Sequence, residues 1–241
     1  MSQRGNLIIA ANAIGNPQDI PQRALDAVRD CDIVLFEEDR PARLVLKTAG
    51  IHREYWKLNE HTGADTLDSV RKALKKSRSV CYMSDQGMAN LADPGHQLLE
   101  IAFQLDCKVE VIPGPSSVTA AISACPFPVK QFSFFGFLSR HETERVKELK
   151  TIKNSSQATV LLEAPYRRGV FLEQMSEFIG KDRKALMALD ISGPQETYLY
   201  GTIDCLQKKN QTLKEKLNFV FVLQPNAKRP SYQKRNRGDR R

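Results

Sequence analysis

Two α/β domains, one in each half of the chain, are the architecture to which three features of the sequence point. Short apolar runs alternate with amphipathic stretches through most of the 241 residues, the pattern of strands and helices in layers rather than of a sandwich or a bundle. Pro113-Gly114-Pro115-Ser116-Ser117 interrupts that pattern near the middle, and prolines flanking a glycine make a turn, not an element. Before this break strands alternate with helices; after it strand runs dominate and hairpins become feasible. The domains are therefore expected at residues 1–113 and 118–225, with 226–241 as a basic tail.

Strands are expected at residues 7–11, 33–36, 80–83 and 109–112 in the first half, and at 132–137, 159–162, 186–189, 197–200 and 219–223 in the second. Each is a short, mostly apolar run bounded by polar or turn residues, too brief for a buried helix. Between the first two, residues 21–30 open on Pro21 in the first turn behind Asp19 as a candidate cap, and carry Leu25 and Val28 three apart. That spacing predicts a helix. A second helix is expected where Asp65 or Thr66 can cap, with Leu67, Val70 and Leu74 on one face and Lys72, Lys75 and Lys76 turned outward.

Composition narrows the function classes. The chain is 41% hydrophobic and 27% charged, which suits a folded body rather than a disordered chain. No apolar run approaches the roughly eighteen residues that cross a bilayer, and residues 1–5 lack the basic and apolar regions of a signal peptide. A cytoplasmic protein without membrane partners is expected. Cys31, Cys81, Cys107, Cys125 and Cys205 are an odd, scattered set without a C-x-x-C pair, so neither a disulfide framework nor a metal site is signalled. The net charge is +8, and most of it sits in residues 226–241, where seven basic residues face Asp239 alone. Such a segment is too poor in apolar residues to offset its ordering entropy, and is expected to be disordered and able to add phosphate affinity.

Four turn-rich segments directly follow strands, where open α/β sheets place their ligands. They are Asn12-Ala13-Ile14-Gly15-Asn16-Pro17, Glu37-Glu38-Asp39-Arg40-Pro41, residues 84–95, and residues 113–117. Neither a G-x-G-x-x-G fingerprint nor a G-x-x-x-x-G-K-[ST] loop occurs, which sets aside the ordinary dinucleotide and P-loop readings. Ile14-Gly15-Asn16 with Asp19-Ile20, Ser84-Asp85-x-Gly87 with Asp93-Pro94-Gly95, Pro113-Gly114-Pro115-Ser116, Gly136-Phe137-Leu138 with Arg140, and Glu163-x-Pro165-x-Arg167 stand in this order. In order and spacing they resemble the tetrapyrrole methylase superfamily of S-adenosylmethionine-dependent methyltransferases. Within it they look most like the branch containing the 16S ribosomal RNA 2′-O-ribose cytidine methyltransferase. The resemblance spans about residues 6–225. It is closer in the cofactor loops than on the substrate face, where Ala188-Leu189-Asp190-Ile191-Ser192-Gly193 has lost two basic groups.

The resemblance implies a homodimer of two-domain α/β subunits with S-adenosylmethionine in the cleft between the domains. This cofactor carries an adenine, a ribose, a carboxylate, an ammonium and a sulfonium, so its site needs apolar walls, backbone hydrogen bonds and few charges. Gly15, Gly87 and Gly114 allow close backbone approach, Ile14 and Met88 can line the adenosyl pocket, Asp85 is a partner for a cation or a ribose, and Ser116 and Ser117 can bond polar edges. Leu162, Ala164 and Ala188 match positions that line the adenine side in the family. Methyl transfer depends chiefly on alignment, and a ribose hydroxyl gains from a nearby base. Glu37, Glu60 and Glu163 are the candidates, each equally able to hold Arg40 or Arg167 in a structural ion pair. The expected activity is methyl transfer to RNA, at a ribosomal ribose hydroxyl. Methylation of a tetrapyrrole carbon and RNA-associated cofactor binding without turnover are the alternatives.

Overall fold

The computed structural model describes residues 5–59, 63–91, 95–213 and 215–226. Of the basic tail only Asn226 is among them. The chain divides into two compact units, Met1–Ser117 with Ser192–Pro194, and Val118–Ile191 with Gln195–Arg241.

In the first unit β1 (Asn6–Ala10), β2 (Ile33–Phe36), β3 (Trp56–Lys57), β4 (Ser79–Met83) and β5 (Lys108–Ile112) form one sheet in the order β3-β2-β4-β1-β5. All pairs are parallel. A parallel sheet needs helices on both faces, and alternation along the strands supplies an apolar side to each. Leu7, Ile9, Leu35, Val80 and Tyr82 pack with Val70 and Leu74 of α3 (Gly63–Lys75) and Leu98 and Ile101 of α4 (His96–Gln104). Ala10, Val34, Phe36, Cys81 and Met83 pack with Ala24 and Val28 of α1 (Gln22–Asp30) and Ala42, Val45 and Leu46 of α2 (Asp39–Thr48).

In the second unit β6 (Phe132–Phe137), β7 (Ala158–Glu163), β8 (Lys184–Leu189), β9 (Thr197–Thr202) and β10 (Phe219–Leu223) run in the order β6-β7-β10-β8-β9. Only β6 and β7 are parallel neighbours. One face is covered by α6 (Glu142–Lys153), α7 (Arg168–Gln174) with its π-helical continuation Met175–Ile179, and α8 (Ile203–Asn210). The other packs on Val118 and Ala121 of α5 (Ser117–Ser123) and on Phe127. A bulge between Phe134 and Gly136, the latter at φ +63°, re-aims the end of β6.

All nine expected strands are present, with ends within two residues of those expected. Four local readings are corrected. The two-residue β3 is too short to leave an apolar run. Asp19 closes a 3-10 turn at Pro17–Asp19 instead of capping α1, whose cap residue is Pro21. Asp65 and Thr66 lie inside the first turn of α3, where Thr66 Oγ1 donates to the Lys57 carbonyl at 3.2 Å. The turn expected across residues 37–41 ends at Glu38, since Asp39, Arg40 and Pro41 already belong to α2; proline is tolerated there because a first-turn N–H has no intrahelical acceptor. The five cysteines are free thiols, Cys31 and Cys81 buried.

Candidate functional site

Because the first sheet is parallel, the segments after β1, β2, β4 and β5 all emerge at its carboxyl edge. The chain leaves β1 toward β2 on one side and leaves β4 toward β5 on the other, while β1 and β4 are neighbours. Such a reversal opens a crevice between the diverging connections.

Asn12 ties this crevice together. It is buried at the end of β1, and its Nδ2 donates to the carbonyls of Ser84 at 3.0 Å and Asp85 at 2.9 Å. Its Oδ1 accepts from Ala13 N at 2.8 Å. Asn12 N donates to the Gly87 carbonyl at 2.8 Å, and Gly87 N donates to the Ala13 carbonyl at 3.1 Å. The β1 and β4 loops are thus joined backbone to backbone. Gly87 holds φ +71°, and a Cβ there would lie 3.1 Å from Ile14 Cγ2 and 3.4 Å from the Pro115 carbonyl. Gly114 N donates to Met88 Sδ at 3.3 Å, and a Cβ on Gly114 would fall 2.6 Å from Ala11 Cβ.

The β2 loop joins from the other side. Glu37 Oε1 accepts from Tyr82 OH at 2.9 Å and from Asp85 N at 3.3 Å, while Asp85 Oδ1 accepts from Glu38 N at 3.2 Å. Partial burial raises the Asp85 carboxyl above its ordinary range; the Glu38 N–H hydrogen bond opposes the shift and the Glu38 charge adds to it.

The structure therefore brings Glu37, Ile14, Asp85, Gly87, Met88 and Gly114 to one edge. Gly15 is exposed in the turn before Pro17, Ser116 follows Pro115, and Ser117 is the first residue of α5. Arg40 is exposed on the first turn of α2. Glu60 lies outside the described residues, as do Asp93 and Pro94. A cavity of about 780 Å³ lies at the opposite, amino edge of this sheet, around Arg29, Asp32, Arg53 and Arg78. Its cations are engaged locally: Arg53 donates to the carbonyls of Val28 and Cys31, Arg29 pairs with Asp26, and Arg78 with Asp32.

In the second unit Leu162 and Ala188 occupy one row across the sheet with Val220 between them. Ala188 is fully buried, in the cluster that also holds Val160 and Val220. Glu163, at the end of β7, is committed to an ion pair. Its Oε2 accepts from Arg145 at 2.7 Å and lies 3.7 Å from Arg167 Nε, and its Oε1 accepts from Ala164 N at 3.0 Å. Arg145 also donates to Gln174 Oε1 at 2.7 Å and to the carbonyls of Leu138 and Ser139. Sequence reasoning paired Glu163 with Arg167 and overlooked Arg145. A signal was present, because Arg145 stands at i, i+4, i+7 spacing with Leu149 and Ile152, the buried residues of α6.

Ribosomal RNA small subunit methyltransferase I of Thermotoga maritima is 32% identical over 199 residues, 83% of this chain and 89% of that protein. The protein of the same name from Leptospira borgpetersenii is 30% identical over 241 residues, 99% of this chain and 95% of that one. Among solved structures a diphthine synthase superposes with a TM-score of 0.69 at 18% identity, covering 91% of this chain and 90% of its own. Uroporphyrin-III-C-methyltransferase from Thermus thermophilus gives 0.61 at 19% identity, covering 92% and 94%. These two show a shared fold. Residues 6–207 match the family model of the tetrapyrrole (corrin/porphyrin) methylases, and the chain belongs to that family.

Proposed function

We propose that this methyltransferase moves a methyl group from S-adenosylmethionine to ribosomal RNA, at the 2′-hydroxyl of a cytidine ribose. The joined β1, β4 and β5 loops at the carboxyl edge carry the cofactor part of the reading. The printed names of the relatives carry the acceptor part.

The loops suit that cofactor. At Gly87 the missing side chain leaves a cradle bounded by Ile14 and Pro115, and Asp85 is the carboxylate beside it. Ile14 and Met88 would supply apolar wall, Asp85 a partner for the ammonium or the ribose, and Gly15, Gly114 and the Ser116 and Ser117 hydroxyls close polar contact. When bound, S-adenosylmethionine supplies a methyl group on a positively charged sulfur. The chain's task is then to align the acceptor and accept its proton. Of Glu37 and Glu163, Glu37 is the favoured proton acceptor, since it stands on the same edge as Asp85, whereas Glu163 lies in the second unit, paired with Arg145. Arg40 and Arg167 are cations suited to phosphate.

Only the ionised Asp85 attracts an ammonium. Its raised pKa therefore predicts that cofactor affinity falls on acidification through a window above the usual carboxylate range, and that Asp85→Asn binds more weakly with a flatter pH profile. Calorimetric titration across a pH series checks this, and identical profiles would remove Asp85 from the site.

The reading takes the protein as a cytoplasmic homodimer; among the described residues no helix is long and apolar enough to cross a membrane. Residues 226–241 are read as an added phosphate contact. Deleting them should flatten the plot of log RNA affinity against log salt by up to about five to six, with cofactor affinity unchanged. Filter binding at several salt concentrations reads the slope. Incubation with radiolabelled cofactor and RNA lacking the modification tests the activity itself. Label in one ribosomal nucleoside supports it, whereas label in a tetrapyrrole, or cofactor binding with no transfer, overturns it.

A further inference from the structure

Two exposed aromatic side chains stand beside the Arg145–Glu163 pair. Phe137, the last residue of β6, is 58% exposed, and Tyr166, in the 3-10 turn after β7, is 70% exposed. Because β6 and β7 are parallel neighbours with Phe137 opposite Leu162, both loops leave the same edge of the sheet. One buried pair holds both: Arg145 donates to the carbonyls of Leu138 and Ser139, next along from Phe137, and to Glu163, whose other ionic neighbour is Arg167, next to Tyr166. Rings on mobile loops are of little use as a platform, but these are mounted on fixed backbone and left uncovered. Each has a cation close in sequence, Arg140 and Arg167. An apolar protein partner would favour rings without charge, and a duplex would offer no ring faces. Exposed aromatics interleaved with arginines instead suit unpaired nucleotides, whose bases stack on rings while their phosphates meet guanidinium groups.

We infer that Phe137 and Tyr166 form a stacking platform for unpaired bases of a single-stranded RNA segment, with Arg140 and Arg167 on its phosphates. This rests on the RNA reading above and assigns the recognition of its substrate to two residues outside the cofactor loops.

Full-length protein is titrated with a short unstructured RNA carrying 2-aminopurine, whose fluorescence is quenched by stacking, and with a duplex of the same sequence. Loss of one stacking ring corresponds to about 5- to 150-fold in affinity. The Phe137→Ala, Tyr166→Ala double variant should therefore bind the single strand at least about tenfold more weakly and lose the quenching. Phe137→Tyr and Tyr166→Phe should stay close to wild type, and cofactor affinity should be unchanged in all. Tyr166→Ser alone, in an exposed turn, carries the same test should the double variant fold poorly. Wild-type protein that binds the single strand while the variants bind it equally overturns the platform alone. A double variant that keeps RNA affinity but changes oligomeric state shows the rings to be a subunit contact and overturns it too. Wild-type protein that neither binds RNA nor transfers methyl to it overturns the RNA reading and the platform with it.

Discussion

Gly87→Val should lower affinity for S-adenosylmethionine by at least about fivefold while the protein remains folded, with about 2–6 kcal/mol divided between lost affinity and lost stability. Two separate strains produce this. At φ +71° a β-branched residue is in a backbone region it scarcely populates, and its Cβ begins 3.1 Å from Ile14 Cγ2 before the two methyl groups are added. The backbone cannot retreat, since Gly87 is held by Asn12 N on its carbonyl and by the Ala13 carbonyl on its N–H. Any shift is passed to the β1 loop, and the space that the proposed site leaves for the cofactor is filled in the same step. Gly50→Val is the control: it meets the same dihedral strain at φ +64°, but nothing lies within 4 Å of its Cβ. Its stability should fall while cofactor affinity holds. Calorimetric titration and thermal unfolding of both variants separate the effects, and wild-type affinity in Gly87→Val would remove the β4 loop from the site.

Much of this arrangement was legible in the sequence, for identifiable reasons. Buried strands such as Ile33–Phe36 and Phe219–Leu223 announce themselves because every residue in them is apolar, and the loops announce themselves through glycine and proline. Pairing was not legible: β4 lies between β2 and β1, and β10 between β7 and β8, and no local pattern encodes an order set by long-range packing. Asp39, Arg40 and Pro41, which open the helix at Asp39–Thr48, read as a turn because charged residues and proline suit a first helical turn as well as a loop. Asn12 stands in the sequence as no more than the first residue of a turn-rich segment, whereas its three side-chain hydrogen bonds make it the join between two loops. Ala188 and Leu162, two residues expected on the adenine side, fall in one row across the sheet, an alignment legible only once the register of three strands is fixed.

Arg145→Met should destabilise the protein by about 3–5 kcal/mol, because it strands a buried carboxylate. The side chains of Arg145 and Glu163 are 5% and 7% exposed and meet at 2.7 Å. Removing the guanidinium leaves Glu163 with the Ala164 N–H and an Arg167 that is 3.7 Å away, and frees the Leu138 and Ser139 carbonyls from their donor. Arg167 can recover part of the loss by closing on the carboxylate, which places the cost toward the lower end. Glu163→Gln should lose less, about 1–3 kcal/mol, but it cannot be neutral. Both carboxylate oxygens accept, one from Arg145 and one from Ala164 N, and an amide turns one of those positions into a donor facing a donor. The double variant Arg145→Met, Glu163→Leu should recover stability relative to Arg145→Met alone, since no charge is then left buried. Urea unfolding of the three variants gives these differences. The pH profile of methyl transfer then separates the two roles considered for Glu163: a residue that only holds the β6 and β7 loops leaves the profile of Glu163→Gln in place with a reduced amplitude. Loss of the acidic limb, where a proton acceptor would be protonated, would instead make Glu163 the proton acceptor in spite of its ion pair.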